Sequence, residues 1–224
     1  MKACLLEQKV LKIKADSPDS QTIKAIVATL KRGGLVAFPT DTVYGLGGLA
    51  VDQSRRRLQN LKGREPARPL GVFVATIPQA RELVSEIPSH ATRLMRTFWP
   101  GPLTLILRSS NRLPKTLLHQ GTIGIRIPNQ KWLLLVLRKL RKPMLQTSAN
   151  ISGQPEARNC AEIIKTFGNE LDLIVDGGRI KRTRPSTVLD VSGSVPIILR
   201  AGAISKTRLE RTLRRKIYAG PREI

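Results

Sequence analysis

The chain has 224 residues, 41% of them apolar but only 4% aromatic, so any core is built mostly of Val, Ile, Leu and Ala. Lys and Arg number 39 against 16 Asp and Glu, and the resulting +23 attracts polyanions such as nucleic acid, nucleotides or an anionic membrane face without naming one. Cys4 and Cys160 form no CxxC, and His90 and His119 have no companion ligand at useful spacing, which argues against a disulfide framework or a zinc site.

Ser20 can cap a helix running to about Lys31, with Ile23, Ile26, Val27 and Leu30 on one face and Gly33-Gly34 ending it. Leu35–Phe38 then predicts a short buried strand. The segment "FPTDTVYGLGGLA" that follows reads as poor helix and poor strand, a turn shaped around a ligand, with Thr40 and Thr42 offering hydroxyls. Asp52 caps a second helix ending at "LKG". Residues 70–75 predict a strand, and Pro78 and Ser89 open short helices. Residues 103–108 and 122–128 predict strands, 131–142 a helix with a basic end, and 143–150 a strand leaving into a loop. A helix near 160–167 and three late strands complete the body. Helices and strands alternate early and strands cluster late, which predicts a mixed-sheet α/β fold. Residues 205–224 read as a basic C-terminal helix or frayed tail beyond a domain of 1–204. The polar N-terminus and the lack of a long apolar run predict a soluble, cytoplasmic protein with no membrane partner.

Four clusters carry chemistry. Lys62, Arg64 and Arg68 put three cations on a stiff loop, suited to a triphosphate. "QTSANISG" places Ser148 and Asn150 at a strand end, a common ligand position in α/β sheets. Ser186 enters a later strand and Arg200 closes another. Each also has an ordinary reading, as a helix C-terminus with favourable cations or a turn rich in side-chain hydrogen bonds.

Together, seven ordered blocks resemble the YrdC-like L-threonylcarbamoyladenylate synthases: "KRGGLVAFPTDTVYGLGGLA", "LKGREPARPLGVFV", "WPGPLTLIL", "GIRIP", "TSANISG", "STVLD" and "ILRAG". They cover about residues 20–204. The resemblance implies an open twisted mixed α/β sheet curled around a large positively charged cavity. It implies an enzyme joining L-threonine, bicarbonate and ATP, with Mg²⁺, into threonylcarbamoyl-AMP and pyrophosphate. A separate threonylcarbamoyl transferase complex then modifies position 37 of tRNA, and direct tRNA binding by this chain is an open expectation.

Residue by residue, the resemblance puts Thr40 or Thr42 on threonine without choosing between them, together with Arg126, Ser148 and Ser186. It puts Lys62 and Arg64 on the ATP phosphates as the charge-stabilising pair, and Arg68, Thr122, Asn150, Arg158 and Arg200 around the nucleotide. No covalent nucleophile and no protein-bound metal or prosthetic group is expected. Asp41 stands where Glu is usual, a change expected to be harmless at a turn, and Ala201 stands where Pro is common. No extra C-terminal domain is expected, which would make this the short form. Two rival readings remain: an RNA-binding module of the same fold, disfavoured by the scarcity of aromatics, and a paralogue acting on another carbamoyl or acyl adenylate.

Overall fold

The computed structural model describes residues 10–14, 17–63, 65, 69–181 and 184–220. Helix α1 (Ser20–Lys31) is capped by Asp19, whose carboxylate accepts from Thr22 N–H at 2.7 Å, one residue earlier than expected. Its buried stripe is Ile23, Ile26, Val27 and Leu30, the set that the 3.6-residue spacing predicts. The other helices are α2 (Asp52–Leu61), α3 (Ile77–Glu82), α4 (Ser89–Phe98), α5 (Lys131–Leu140), α6 (Cys160–Phe167) and α7 (Lys206–Leu213).

The strands are β1 (Val10–Lys12), β2 (Val36–Pro39), β3 (Tyr44–Leu49), β4 (Gly71–Phe73), β5 (Leu103–Arg108), β6 (Thr122–Arg126), β7 (Met144–Ser148), β8 (Leu173–Asp176), β9 (Thr187–Asp190), β10 (Ile197–Arg200) and β11 (Tyr218–Ala219). Among the described residues they form one sheet in the order β1-β8-β2-β3-β7-β4-β6-β5-β9-β10-β11. Parallel pairs such as β2/β8 and β4/β6 mix with antiparallel pairs such as β2/β3 and β3/β7, so the sheet is mixed as predicted. One apolar cluster joins Phe38 and Phe73 of the sheet to Ile26 of α1 and Trp132 of α5. The other joins Leu46, Val72 and Leu105 to helices α2, α4, α6 and α7.

Segment 44–49 differs from its sequence reading. "YGLGGL" is a strand buried at every position, not a turn. A Cβ on Gly47 would meet the Leu145 carbonyl at 2.7 Å and the Phe38 ring at 2.8 Å. The glycine there admits a close strand contact and a neighbouring aromatic ring; it is not needed for a left-handed backbone. Gly47→Ala is therefore expected to destabilise the fold by about 1–3 kcal/mol through overpacking. Chemical denaturation would show this as a lowered midpoint with an unchanged slope.

Of the basic helix or frayed tail expected at the C-terminus, Lys206–Leu213 is a helix. Ser205 caps α7 by accepting from Arg208 N–H, and Leu209 and Leu213 are buried. The Arg208 guanidinium lies 5.2 Å from the centre of the Phe98 ring on α4. Beyond α7, β11 adds to β10 in parallel. The amphipathic spacing of two leucines, set among basic residues, was a weak signal for this docking.

Candidate active site

The turn between β2 and β3 is held by Thr40. Its hydroxyl donates to the Val43 carbonyl at 2.7 Å and accepts from the N–H groups of Thr42 and Val43 at 3.1 and 3.3 Å. That is the local side-chain-to-backbone closure that threonine and serine bring to turns. With the Thr40 proton spent on Val43, the 3.0 Å contact between the two hydroxyls has Thr42 donating to Thr40. The Thr42 oxygen then accepts from Arg126 Nη1 at 3.3 Å.

Arg126 ends β6 and is 3% exposed. Its Nε donates to the Gly101 carbonyl at 2.9 Å, and its Nη2 donates to Asp41 Oδ1 at 2.5 Å. The guanidinium also lies 5.5 Å from the centre of the Phe73 ring. Burial pushes the Arg126 pKa down and Asp41 pushes it back up, so the pair is held against desolvation by its own charge complement. Strands β7 and β4 lie between β3 and β6, which on a flat sheet would separate the partners by about 14 Å. The ion pair is spanned by the long Arg126 side chain and by Asp41 standing in the turn before β3.

Two further groups adjoin this pair. The Thr104 hydroxyl on β5, beside β6, and the Ser186 hydroxyl just before β9 are 3.0 Å apart, and Arg200 donates to the Ser186 hydroxyl and carbonyl at 3.0 and 3.1 Å. Arg200 as a whole residue is exposed, but these contacts draw in its head group. Desolvation lowers the Arg200 pKa, the positive charge of Arg126 lowers it further, and Glu156 raises it. The two guanidinium groups therefore share one electrostatic neighbourhood.

The other group is centred on Lys62, at the C-terminus of α2 and 1% exposed. Its ammonium donates to the Ser148 and Asn150 carbonyls, each at 2.6 Å, and to Asn150 Oδ1 at 2.9 Å. Ser148 Oγ donates to the same Oδ1 at 2.6 Å. Ser148 pairs with Gly45 on β3, and Ala149 N–H donates to the Tyr44 carbonyl at 2.8 Å, so this knot is stitched to the Thr40–Thr42 turn.

Thus Thr40, Thr42, Arg126, Ser186 and Arg200 share one neighbourhood, and Lys62, Ser148 and Asn150 form a knot beside it. In these contacts the Lys62 ammonium braces the 148–150 turn. Thr122 stands at the opposite end of β6 from Arg126, about 13 Å along the strand, and its hydroxyl donates to the His119 carbonyl at 2.7 Å. The Arg158 side chain is exposed, while its backbone N–H is held by Glu162. Arg64 and Arg68 lie outside the described residues. No group of three or more His, Cys, Asp or Glu side chains among the described residues could hold a metal ion.

A cavity of about 340 Å³ adjoins the turn, lined by Thr40, Asp41, Asn129, Gln130, Trp132 and Lys181 among others. Behind it the buried Tyr44 hydroxyl donates to the Gly178 carbonyl at 2.8 Å and accepts from Gly177 N–H at 3.2 Å. Burial raises its pKa to about 12, partly offset by the Gly177 N–H. The folded state therefore holds this proton more tightly than the unfolded chain. That stability is complete below about pH 10 and is lost as pH rises toward 12. Tyr44→Phe should cost about 0.5–1.5 kcal/mol at neutral pH, the net worth of the lost hydrogen bond since Gly178 is exposed, and should remove this alkaline component. Thermal melts of both proteins from pH 8 to 11.5 would check it.

Sequence reasoning missed Asp41, Thr104, Tyr44 and the Gly101 carbonyl. Asp41 carried a signal: an acid inside a Pro-Thr-x-Thr turn between two apolar strands must find a partner once buried.

The profile of the Sua5/YciO/YrdC family, described as telomere recombination, matches residues 28–202. The chain belongs to this family. Among curated proteins, this family member is 35% identical over 85% of its length to the threonylcarbamoyl-AMP synthase of Pyrococcus abyssi, but spans only 57% of that protein. It is likewise 35% identical over 87% of its length to a putative threonylcarbamoyl-AMP synthase of Mycobacterium tuberculosis, of which it spans 90%. Among solved structures, Pyrococcus abyssi Sua5 complexed with L-threonine superposes with a TM-score of 0.89 at 32% identity, covering 95% of this chain and 62% of that one. The fold of this family member is accordingly the one expected from the resemblance, an open mixed α/β sheet.

Proposed function

We propose that the chain is an L-threonylcarbamoyladenylate synthase, using ATP, L-threonine and bicarbonate and serving threonylcarbamoylation of tRNA position 37. The observation that carries this reading is the Arg126 guanidinium, buried beside the Thr40–Thr42 turn and sharing its neighbourhood with Ser186 and Arg200, in a chain similar to proteins of that name.

The chemistry asks little covalent work of the protein. The threonine amine bonds to the carbon of bicarbonate-derived CO₂ and loses a proton, giving a carbamate. A carbamate oxygen then bonds to the α-phosphorus of ATP as the bond to the β-phosphate oxygen breaks, and pyrophosphate leaves. The carbamate and the mixed anhydride are both labile in water, so positioning and water exclusion carry the rate. On this reading Arg126 takes the threonine carboxylate, for which its planar fork is suited. Thr42 and Ser186 supply hydroxyls near it, and Ser148 and Asn150, braced by Lys62, border the nucleotide. Lys62, Arg64, Arg68 and Arg200 supply positive charge around the phosphates. Thr122 and Arg158 belong to the outer nucleotide contacts. Magnesium enters as part of the nucleotide substrate, held by phosphate oxygens and water, as its coordination habits favour. No helix among the described residues is long and apolar enough to cross a membrane, in keeping with a cytoplasmic partner complex that takes up the adenylate.

Purified protein incubated with labelled bicarbonate, ATP and each of several amino acids tests the reading. Labelled adenylate should form with threonine and depend on ATP. Salt-sensitive RNA binding with no threonine-dependent pyrophosphate would favour the RNA-binding alternative instead.

A further inference from the structure

We propose that Asp41 is the group that holds the α-ammonium of the amino acid, making it the residue that selects an α-amino acid over other small carboxylates; this rests on the synthase reading above. The Asp41 side chain is 9% exposed and its two oxygens are unequal. Oδ1 accepts from Arg126, whereas Oδ2 is buried without a hydrogen-bond partner. A buried, unpaired carboxylate oxygen is costly, and its natural complement is a cation or a strong donor. Asp41 lines the cavity of about 340 Å³, which is ample for a small amino acid, while Arg126 is not among the lining residues and reaches the site only through its contact with Asp41. Trp132 lines it too, and its buried indole N–H also has no partner. The cavity residues therefore bring together one unpaired acceptor and one unpaired donor.

The charge pattern fits a zwitterion. An α-amino acid carries its ammonium and carboxylate two bonds apart. Asp41 and Arg126 present the opposite charges side by side, 2.5 Å from atom to atom. Arginine has five N–H donors. The contacts to Gly101, Thr42 and Asp41 use three of them, so a ligand carboxylate can be bound without breaking the pair. Arg126, Arg200 and Lys62 make the surroundings cationic and would accept many small anions. Asp41 opposes that tendency at one point, where it penalises a ligand lacking a positive group.

The test compares L-threonine with its amine-free analogue 2,3-dihydroxybutanoate by calorimetry, on the wild-type chain and on Asp41→Asn and Asp41→Glu. The wild type should bind threonine about 10–100-fold more tightly than the analogue, the range of a charge-assisted hydrogen bond. Asp41→Asn should bring the two ligands within about threefold of each other, chiefly by weakening threonine, and Asp41→Glu should restore part of the preference. The assignment is overturned if Asp41→Asn weakens both ligands equally, which makes Asp41 only a support for Arg126, or if it leaves threonine affinity unchanged. It is also overturned, independently of any variant's folding, if the wild type shows no preference for the amine. A wild type that shows the Asp41-dependent preference yet forms no threonylcarbamoyl-AMP supports this assignment and sinks the synthase reading alone.

Discussion

Arg126→Lys should lower threonine-dependent pyrophosphate release by about 30–160-fold in kcat/KM while changing stability far less than Arg126→Ala does. Lysine keeps the charge near Asp41, so the carboxylate is not abandoned in a buried site. It cannot reproduce the planar set of donors that reaches Gly101, Thr42 and Asp41 together with a ligand carboxylate. Losing one bidentate, charge-assisted contact is worth roughly 2–3 kcal/mol, which is the fold-change stated. Arg126→Ala adds a structural penalty of about 3–5 kcal/mol, because Asp41 is then an unpaired buried charge. Steady-state kinetics and thermal melts on both variants separate these effects. Near-normal activity in Arg126→Lys would remove this residue from carboxylate recognition.

Lys62→Met should destabilise the 148–150 turn and lower activity with it. It keeps much of the aliphatic bulk but strips the donors from the Ser148 carbonyl, the Asn150 carbonyl and Asn150 Oδ1. Asn150 Oδ1 keeps the Ser148 hydroxyl and the Ser148 carbonyl keeps the Asn150 N–H, so the main orphan is the Asn150 carbonyl, and the loss is about 1–3 kcal/mol, a fall of roughly 2–12 °C in melting temperature for a chain of this size. Activity should fall with it, since the turn bearing Ser148 and Asn150 loses its brace. The informative comparison is at a temperature where Lys62→Met remains folded. Activity lost there, with threonine affinity retained, places Lys62 on the nucleotide side of the site. A variant with unaltered melting temperature would contradict the bracing role.

Much of the fold was legible because it depends on local pattern. The apolar stripe of α1, the β5 segment 103–108 and the helix at 160–167 fall where the apolar spacing puts them. The three-residue β1 carried no readable period, and its place beside β8 is set by pairing across the chain. Tertiary context overrode local propensity at "YGLGGL", where the Phe38 ring and strand β7 demand glycine inside a strand.

By itself the sequence determined the mixed α/β class and which polar blocks were candidates, since ordered motifs survive without coordinates. Only the tertiary structure decided how those side chains are spent. It turned the Lys62 ammonium into the 148–150 turn, set Thr122 at the far end of its strand from Arg126, and made Asp41 the buried partner of a residue 85 positions away. The reason is physical: hydrogen bonds and ion pairs are satisfied by whatever donor the fold brings within about 3 Å, and that distance bears no relation to separation along the chain.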